Sequence, residues 1–510
     1  MALPARWWTL FAVLQLLGCR DDATRGVDAQ APFDGGPLSD LSSSTQQDLA
    51  SHPSDDLSMP PSSSALILKG VVVAPAGPFL GEVLVVGSKI ECAQASCESE
   101  PLAQGATVLD THGFIYPGLV DAHNHGIFNL FDGTDWAPTK LYHNHNQWTA
   151  EVRYQQMIDA KHYLAGELNS PVDYRCEMDK YAEVKALVSG TTSMVVAPGT
   201  ALGCFSSVIR TIDTPESGLA KDNIQTSISV PAAASAQSVC NNFASGKTGA
   251  YVIHIAEGID STALNEFATL SGRASGCLLA PETTIVHGTA LGLPEFTTMQ
   301  AHDMKLVWSP RSNMFLYGDT TKINLALQAG VTIALAPDWS MGGSVNLLEE
   351  LRFAHSTDVS KFGGILSNQM LFEMVTINAA KALASDSEIG SIEVGKRADL
   401  MVLSGDQSKD AYDALLSAVP ANVSLVFVDG QARYGDLAWM SYGPSSPGCE
   451  TISICGADKF VCVAESASSN KLNQTFADIT STLDSAISAY DGLSGISPGF
   501  APIAPIVECQ

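Results

Sequence analysis

Basic residues are scarce in this chain of 510 residues: 27 Lys and Arg stand against 54 Asp and Glu, a formal charge of −27. That balance argues against a nucleic-acid partner, because phosphates would be repelled and no basic stripe offsets the field. No two cysteines have C-x-x-C spacing, so a structural zinc knuckle is not expected. The apolar stretch near the start, Trp7 to Leu17, is too short to span a bilayer comfortably. Residues 20–63 carry almost no large apolar side chains and are rich in Ser, Asp, Gln, Pro and Ala. Such a segment cannot bury enough surface to offset its ordering entropy and reads as a flexible tether.

What the chain does have is the material for a large core. Hydrophobic residues make up 45% and charged residues 16%, and the length accommodates a large barrel with accessory pieces. Arg6 and the stretch to Leu17 read as an export signal ending in Leu16-Leu17-Gly18-Cys19, which resembles the lipobox of bacterial lipoproteins. The resemblance implies lipidation of Cys19 and an exported protein anchored to a membrane of the bacterial cell envelope. An ordinary secretory signal is the alternative. Ten cysteines then face a compartment where disulfides persist. Cys92 and Cys97 are close enough to close a small loop, and Cys449, Cys455, Cys462 and Cys509 could staple the tail. Spacing alone does not fix the connectivity.

Short β-type runs occur at both ends of the central region: Leu66-Ile-Leu, Val71-Val-Val and Val83-Leu-Val-Val first, Ala398 to Leu403 and Val423 to Val428 later. Between them β-branched runs alternate with helical stretches such as Asn346–His355 and Asn368–Leu383, the texture of βα units. The expected organisation is a signal over 1–19 and the tether over 20–63. A small β-sandwich domain follows, built from 64–115 and 396–440, around an α/β barrel over 116–395. A cysteine-containing extension over 441–510 closes the chain.

Four strand-like segments end in potential metal ligands. Phe114 to Ala122 runs into His123-Asn-His125, and Tyr251-Val-Ile ends in His254. Thr284-Ile-Val ends in His287, and Thr332-Ile-Ala-Leu-Ala-Pro ends in Asp338. In a barrel of parallel strands all carboxyl ends open on one face, so residues far apart in sequence can meet at one ion. His123 and His125, two apart on a strand, point to the same side and can chelate together. An H-x-H alone is weak evidence, as His143-Asn-His145 shows. Glu257, three residues after His254, can reach the same cavity and carry a proton from water to a leaving group.

These residues carry a resemblance. Pro117-Gly-Leu-Val-Asp-Ala-His-Asn-His125 resembles the first-strand signature of the amidohydrolase superfamily, and Ile389-Gly-Ser-Ile-Glu-Val-Gly-Lys-Arg-Ala-Asp-Leu400 its return into the small β-domain. His254-Ile-Ala-Glu257, Val286-His-Gly288 and Ser309-Pro-Arg-Ser-Asn313 resemble the branch of triazine hydrolases and of cytosine and guanine deaminases. The resemblance covers roughly 65–435. It implies a distorted (β/α)8 TIM barrel and a hydrolase of non-peptide C–N bonds, opening a cyclic amide or deaminating a heterocycle by a metal-activated hydroxide. His123, His125, His254 and Asp338 would hold one divalent metal, Zn²⁺ first and Fe²⁺ compatible. Glu257, His287 and Asp338 would be catalytic, with His287 either bonding the hydrolytic water or binding metal. Arg311 and Asn313 are candidates for binding a small-molecule substrate, loop capping being a nearly equal reading.

Pro337 and Trp339 depart from the small residues that usually flank this Asp. The aromatic insertion with Trp136, Tyr142, His143, His145 and Trp148 reads either as a lid or as a hydrophobic mini-core. None of the lysines 140, 161, 180, 185, 221 and 247 ends an apolar strand, which favours one metal over a lysine-bridged pair. A two-metal peptidase or lactonase and a catalytically inactive, surface-tethered binding protein are the alternatives. Whether the barrel forms a homodimer is left open.

Overall fold

The computed structural model describes residues 65–197, 202–219, 224–445, 447–467 and 471–509. The signal, Cys19 and the tether lie outside the described residues. Among those described, no helix is long and apolar enough to cross a membrane.

The first β-rich stretch forms strands β1 (Ala65–Ala74), β2 (Gly77–Val86), β3 (Lys89–Gln94) and β4 (Thr107–Pro117). The last forms β13 (Leu400–Ser404), β14 (Val423–Val428), β15 (Gln431–Asp436), β16 (Glu450–Ile454) and β17 (Ala457–Val461). They make one nine-stranded sheet in the order β16-β17-β15-β14-β13-β4-β1-β2-β3. Its seam is the antiparallel pairing of β4 with β13, which brings the two ends of the central region together. Alternate residues of four strands, Leu68 and Val72, Val83 and Val85, Leu400 and Val402, Leu425 and Phe427, pack into one cluster. Residues of the opposite parity, Phe114, Tyr116, Met401, Leu403 and Val426, join the main core. That period of two is why both faces read as hydrophobic in sequence. Beyond the expected boundary at 440, the β16–β17 hairpin pairs with β15 and extends this sheet.

Between the two stretches lie eight short parallel strands in two sheets. One holds β5 (Leu119–Asp121), β6 (Thr191–Met194) and β7 (Arg210–Thr211). The other holds β8 (Ile224–Ser227), β9 (Ala250–Ile255), β10 (Thr283–His287), β11 (Lys305–Trp308) and β12 (Thr332–Leu335). Neighbours follow chain order throughout, as successive βα units require. The first and last of the eight meet just past their ends, where a parallel bridge joins Asn124 to Asp338 and the His125 amide donates to the Asp338 carbonyl at 2.8 Å. Val120, Val195, Val252, Val286, Val307 and Ala334 form a cluster on one side of these strands. Tyr251, Ile253, Ile285, Leu306 and Ile333 pack on the other side, within the main core.

The chain passes from β4 into β5 through Pro117-Gly118. A Cβ on Gly118 would stand 2.2 Å from the Thr192 hydroxyl, so only glycine allows β5 to sit against β6. The two assemblies are also tied by charge. Arg210 of β7, 2% exposed, pairs through its guanidinium with Asp399, just before β13, and lies 2.5 Å from Asp429. All ten cysteines among the described residues are paired, as 92–97, 176–204, 240–277, 449–462 and 455–509. The helix Phe476–Ser494 of the tail packs on the helix Arg175–Leu187.

Removing one member of a buried ion pair leaves the other desolvated and uncompensated, at a cost of about 3–5 kcal/mol. Asp399→Ala should therefore lower the unfolding free energy by about that amount in denaturant titration. A loss near zero would show that Asp429 alone satisfies Arg210.

Candidate metal centre

Three imidazoles and one carboxylate come together at the carboxyl ends of the parallel strands. His123, His125, His254 and Asp338 each offer one ligand atom, and these atoms lie within 4.8 Å of one another. His123 Nε2 is 2.9 Å and His125 Nε2 is 3.4 Å from Asp338 Oδ1. His254 shares the face of Val286 because the two are register partners in β9 and β10. Asp338 is carried past the end of β12 with φ +73°, in the left-handed region. His287 has φ +67° and Ala256 φ +58°. Non-glycine residues persist there only where surrounding contacts over-determine them, at a cost on the order of 1–3 kcal/mol each.

Two of the donors are aimed by a neighbour, and the H-x-H turn is pinned through its backbone. The Ser227 carbonyl can only accept, so its 3.2 Å contact with His254 Nδ1 places the proton there and leaves Nε2 as the lone-pair atom. Ser312 donates to Asp338 Oδ2 at 2.6 Å, holding the carboxylate while Oδ1 faces the imidazoles. Asp121 accepts from the His123 amide at 3.2 Å and from Asn124 Nδ2 at 2.7 Å, which pins the H-x-H turn. Asn129 donates onward to Asn124 Oδ1, and Lys185 to the Asn129 carbonyl, each at 3.0 Å. Burial pushes the His123 and His125 imidazoles down to about 3 and that of His254 to about 4. All three are therefore neutral at ordinary pH, the form that ligates. A neutral N₃ set with one buried carboxylate suits a divalent cation, Zn²⁺ or Fe²⁺.

Glu257 and His287 stand beside the group without joining it. His287 is 5.1 Å from His254 and 5.6 Å from His123, ring centre to ring centre. Its tautomer follows from a chain of hydroxyls. Thr320 accepts from Trp308 Nε1 at 2.8 Å, which frees its own proton for Asn313 Oδ1 at 3.3 Å. The Asn313 amide nitrogen then faces His287 Nδ1 at 3.1 Å, and the imidazole proton sits on Nε2. Glu257, 4% exposed, accepts from the Tyr317 hydroxyl at 2.7 Å, and its other oxygen is 3.8 Å from His287 Nε2. Tyr317 accepts from Trp148 Nε1 at 2.8 Å. Burial, then the Glu257 charge, drives the Tyr317 phenol far above its usual range, so it stays a donor.

Of the two substrate candidates, Asn313 spends its amide on His287. Arg311 places its guanidinium on Glu349, with Ser344 at 3.5 Å and the Phe353 ring at 5.7 Å. The insertion is a packed mini-core: Trp136 and Trp148 are buried, 5.8 and 5.5 Å from Trp339, whose ring is 5.8 Å from His125. Tyr317, Trp148 and His145, all in contact with Glu257 or its partner, carried no sequence signal of that role. Only the tertiary contacts single them out.

Strands that end on a neutral three-imidazole, one-carboxylate group define a metal-centred α/β enzyme of the TIM-barrel-like kind. Residues 114–433 match the model of the amidohydrolase family, and the chain belongs to that family. It is a hydrolase acting on C–N bonds. A 5-methylthioadenosine/S-adenosylhomocysteine deaminase of Desulforudis audaxviator is 25% identical over 416 residues, 72% of this chain and 92% of that protein. One of the same name from Thermoanaerobacter pseudethanolicus is 31% identical over 144 residues, 25% of this chain and 33% of that relative. The atrazine chlorohydrolase of Arthrobacter aurescens TC1, solved with zinc, shares the fold at a TM-score of 0.57 and 15% identity, covering 72% of this chain and 94% of its own.

His254→Ala removes one of the four candidate ligands and leaves the buried Asp338 carboxylate with one imidazole fewer beside it. Metal analysis of the purified variant should show the bound divalent ion falling from near one equivalent to a small fraction, with the cooperative unfolding transition retained. Full occupancy in the variant would place the ion elsewhere.

Proposed function

We propose that the protein is a mononuclear hydrolase that attacks an sp² carbon and releases nitrogen, from either a cyclic amide or an amino-substituted heterocycle. The observation that carries this reading is Glu257 beside, but outside, the ligand group formed by His123, His125, His254 and Asp338. A divalent ion held there supplies Lewis acidity, which lowers the pKa of a water from 15.7 to roughly 7. Asp338, steadied by Ser312, accepts a proton from the attacking water. His287 presents Nε2–H to the oxygen on the attacked carbon. Glu257 takes the water's other proton and passes it to the departing nitrogen, within reach because Tyr317 and its neighbours hold both carboxylate oxygens.

Several observations support the finer parts of this reading. Lys161 and Lys180 point to Glu167 and to the Lys471 carbonyl, and Lys185 to Asn129, which favours one ion over a lysine-bridged pair. The chain order of β5 to β12 and the Asn124–Asp338 bridge support a distorted eight-stranded barrel capped by the small β-domain. The names of the relatives, a deaminase of adenosine derivatives and a chlorohydrolase of atrazine, favour a nitrogen heterocycle over a peptide. Five disulfides support an exported protein.

The metal-loaded protein should turn over at least one amino-heterocycle or cyclic amide and no dipeptide, with near one equivalent of metal. Glu257→Gln should lower kcat by about 10²–10⁴-fold while metal content stays at the wild-type value and the cooperative unfolding transition is retained. Turnover restricted to dipeptides, with two ions bound, would sink this reading.

A further inference from the structure

His145 stands between two carboxylates. Its Nδ1 is 3.5 Å from Glu257 Oε2 and its Nε2 is 2.8 Å from Glu266 Oε1. Its backbone amide donates to the Glu257 carbonyl at 3.2 Å. Glu266 is itself anchored, accepting from the Ala256 amide at 2.8 Å. This contact is built by the insertion. Asn144 bridges to Gly258, the Ile259 amide donates to the His143 carbonyl at 2.7 Å, and Asn144 Nδ2 donates to Asp260 at 2.7 Å. Gly258 has φ +147°, and a Cβ there would stand 2.5 Å from the His143 carbonyl oxygen. Glycine at 258 is what lets residues 143–145 lie against the end of β9.

We propose that His145 is a positioning residue for Glu257: as an imidazolium it holds Oε2 while the Tyr317 hydroxyl holds Oε1, so the carboxylate keeps a fixed orientation at the edge of the ligand group. The proposal rests on the assignment of Glu257 as the proton carrier. Burial by itself would lower the His145 imidazole, but the hydrogen bonds to Glu257 and Glu266 raise it to about 10, in keeping with a cation between two anions. A glutamate has freely rotating side-chain bonds, and it sits one residue after Ala256, whose backbone is left-handed. Two opposed partners remove that freedom before substrate arrives.

The test compares His145→Ala, His145→Gln and wild type, each metal-loaded, on whichever C–N substrate the wild type hydrolyses. His145→Ala should lose about 10²-fold in kcat, since a misplaced group of this kind costs on that order, with KM and metal content unchanged. His145→Gln, which keeps a donor to Oε2, should recover much of that loss. A long-range ¹H–¹⁵N spectrum of histidine-labelled wild type, assigned by the resonance missing in His145→Gln, should show an imidazolium at about pH 8, where an ordinary histidine is neutral. Wild-type turnover reports on the hydrolase assignment, while the variant ratio and the imidazolium signal report on His145, so the two fail separately. A His145→Ala kcat within a few-fold of wild type, or a neutral His145 at that pH, overturns the proposal.

Discussion

Four donor atoms from three distant strand ends sit within 4.8 Å of one another, two of them on fully buried residues, and most of the central architecture serves to keep them so. Burial keeps the imidazoles neutral and also raises the Asp338 carboxyl, against the lowering effect of His125, Ser312 and His254. The Ser227 carbonyl and the Ser312 hydroxyl each fix one rotation that would otherwise turn a lone pair away, and Asp121 pins the backbone of the H-x-H turn. The left-handed backbone at His287 and Asp338 is part of the same arrangement, because regular strand geometry would send those side chains elsewhere. A cation is what such a set of inward lone pairs can bind, and the hydrolytic reading follows from that.

The insertion after the first strand supports the centre from two sides. Its tryptophans pack on Trp339, the residue after Asp338, and that ring in turn lies against His125. The Trp at this position thus has its structural partners in that loop. The other end of the loop brings Trp148 to Tyr317 and His145 to Glu257. One segment therefore packs against the end of the strand that carries Asp338 and, across the site, against Glu257.

The small sheet contributes by position. Pairing of β4 with β13 sets where the chain enters β5, and hence where the H-x-H turn falls. Arg210 and Asp399 lock that sheet to β7 through a pair that water does not screen. The tail adds two strands to the same sheet and a helix against the central region, and its own disulfides tie 449 to 462 and 455 to 509.

The residues that meet at the candidate centre were legible in the amino-acid sequence because each ends a short apolar run, and strand-end placement is a local property. His123, His125, His254 and Asp338 follow their β-branched stretches directly, and Glu257 follows His254 within one turn of chain. The paired β-rich ends were legible for the same reason. Which cysteines pair, that Arg311 is taken by Glu349, that the tail hairpin joins the sheet and that His145 reaches Glu257 were settled only by the tertiary structure. Those contacts join segments whose proximity depends on register, on close approaches at Gly118 and Gly258, and on loop paths. Periodicity reports which residues are buried, whereas the partner a buried charge finds is decided by how the whole chain packs.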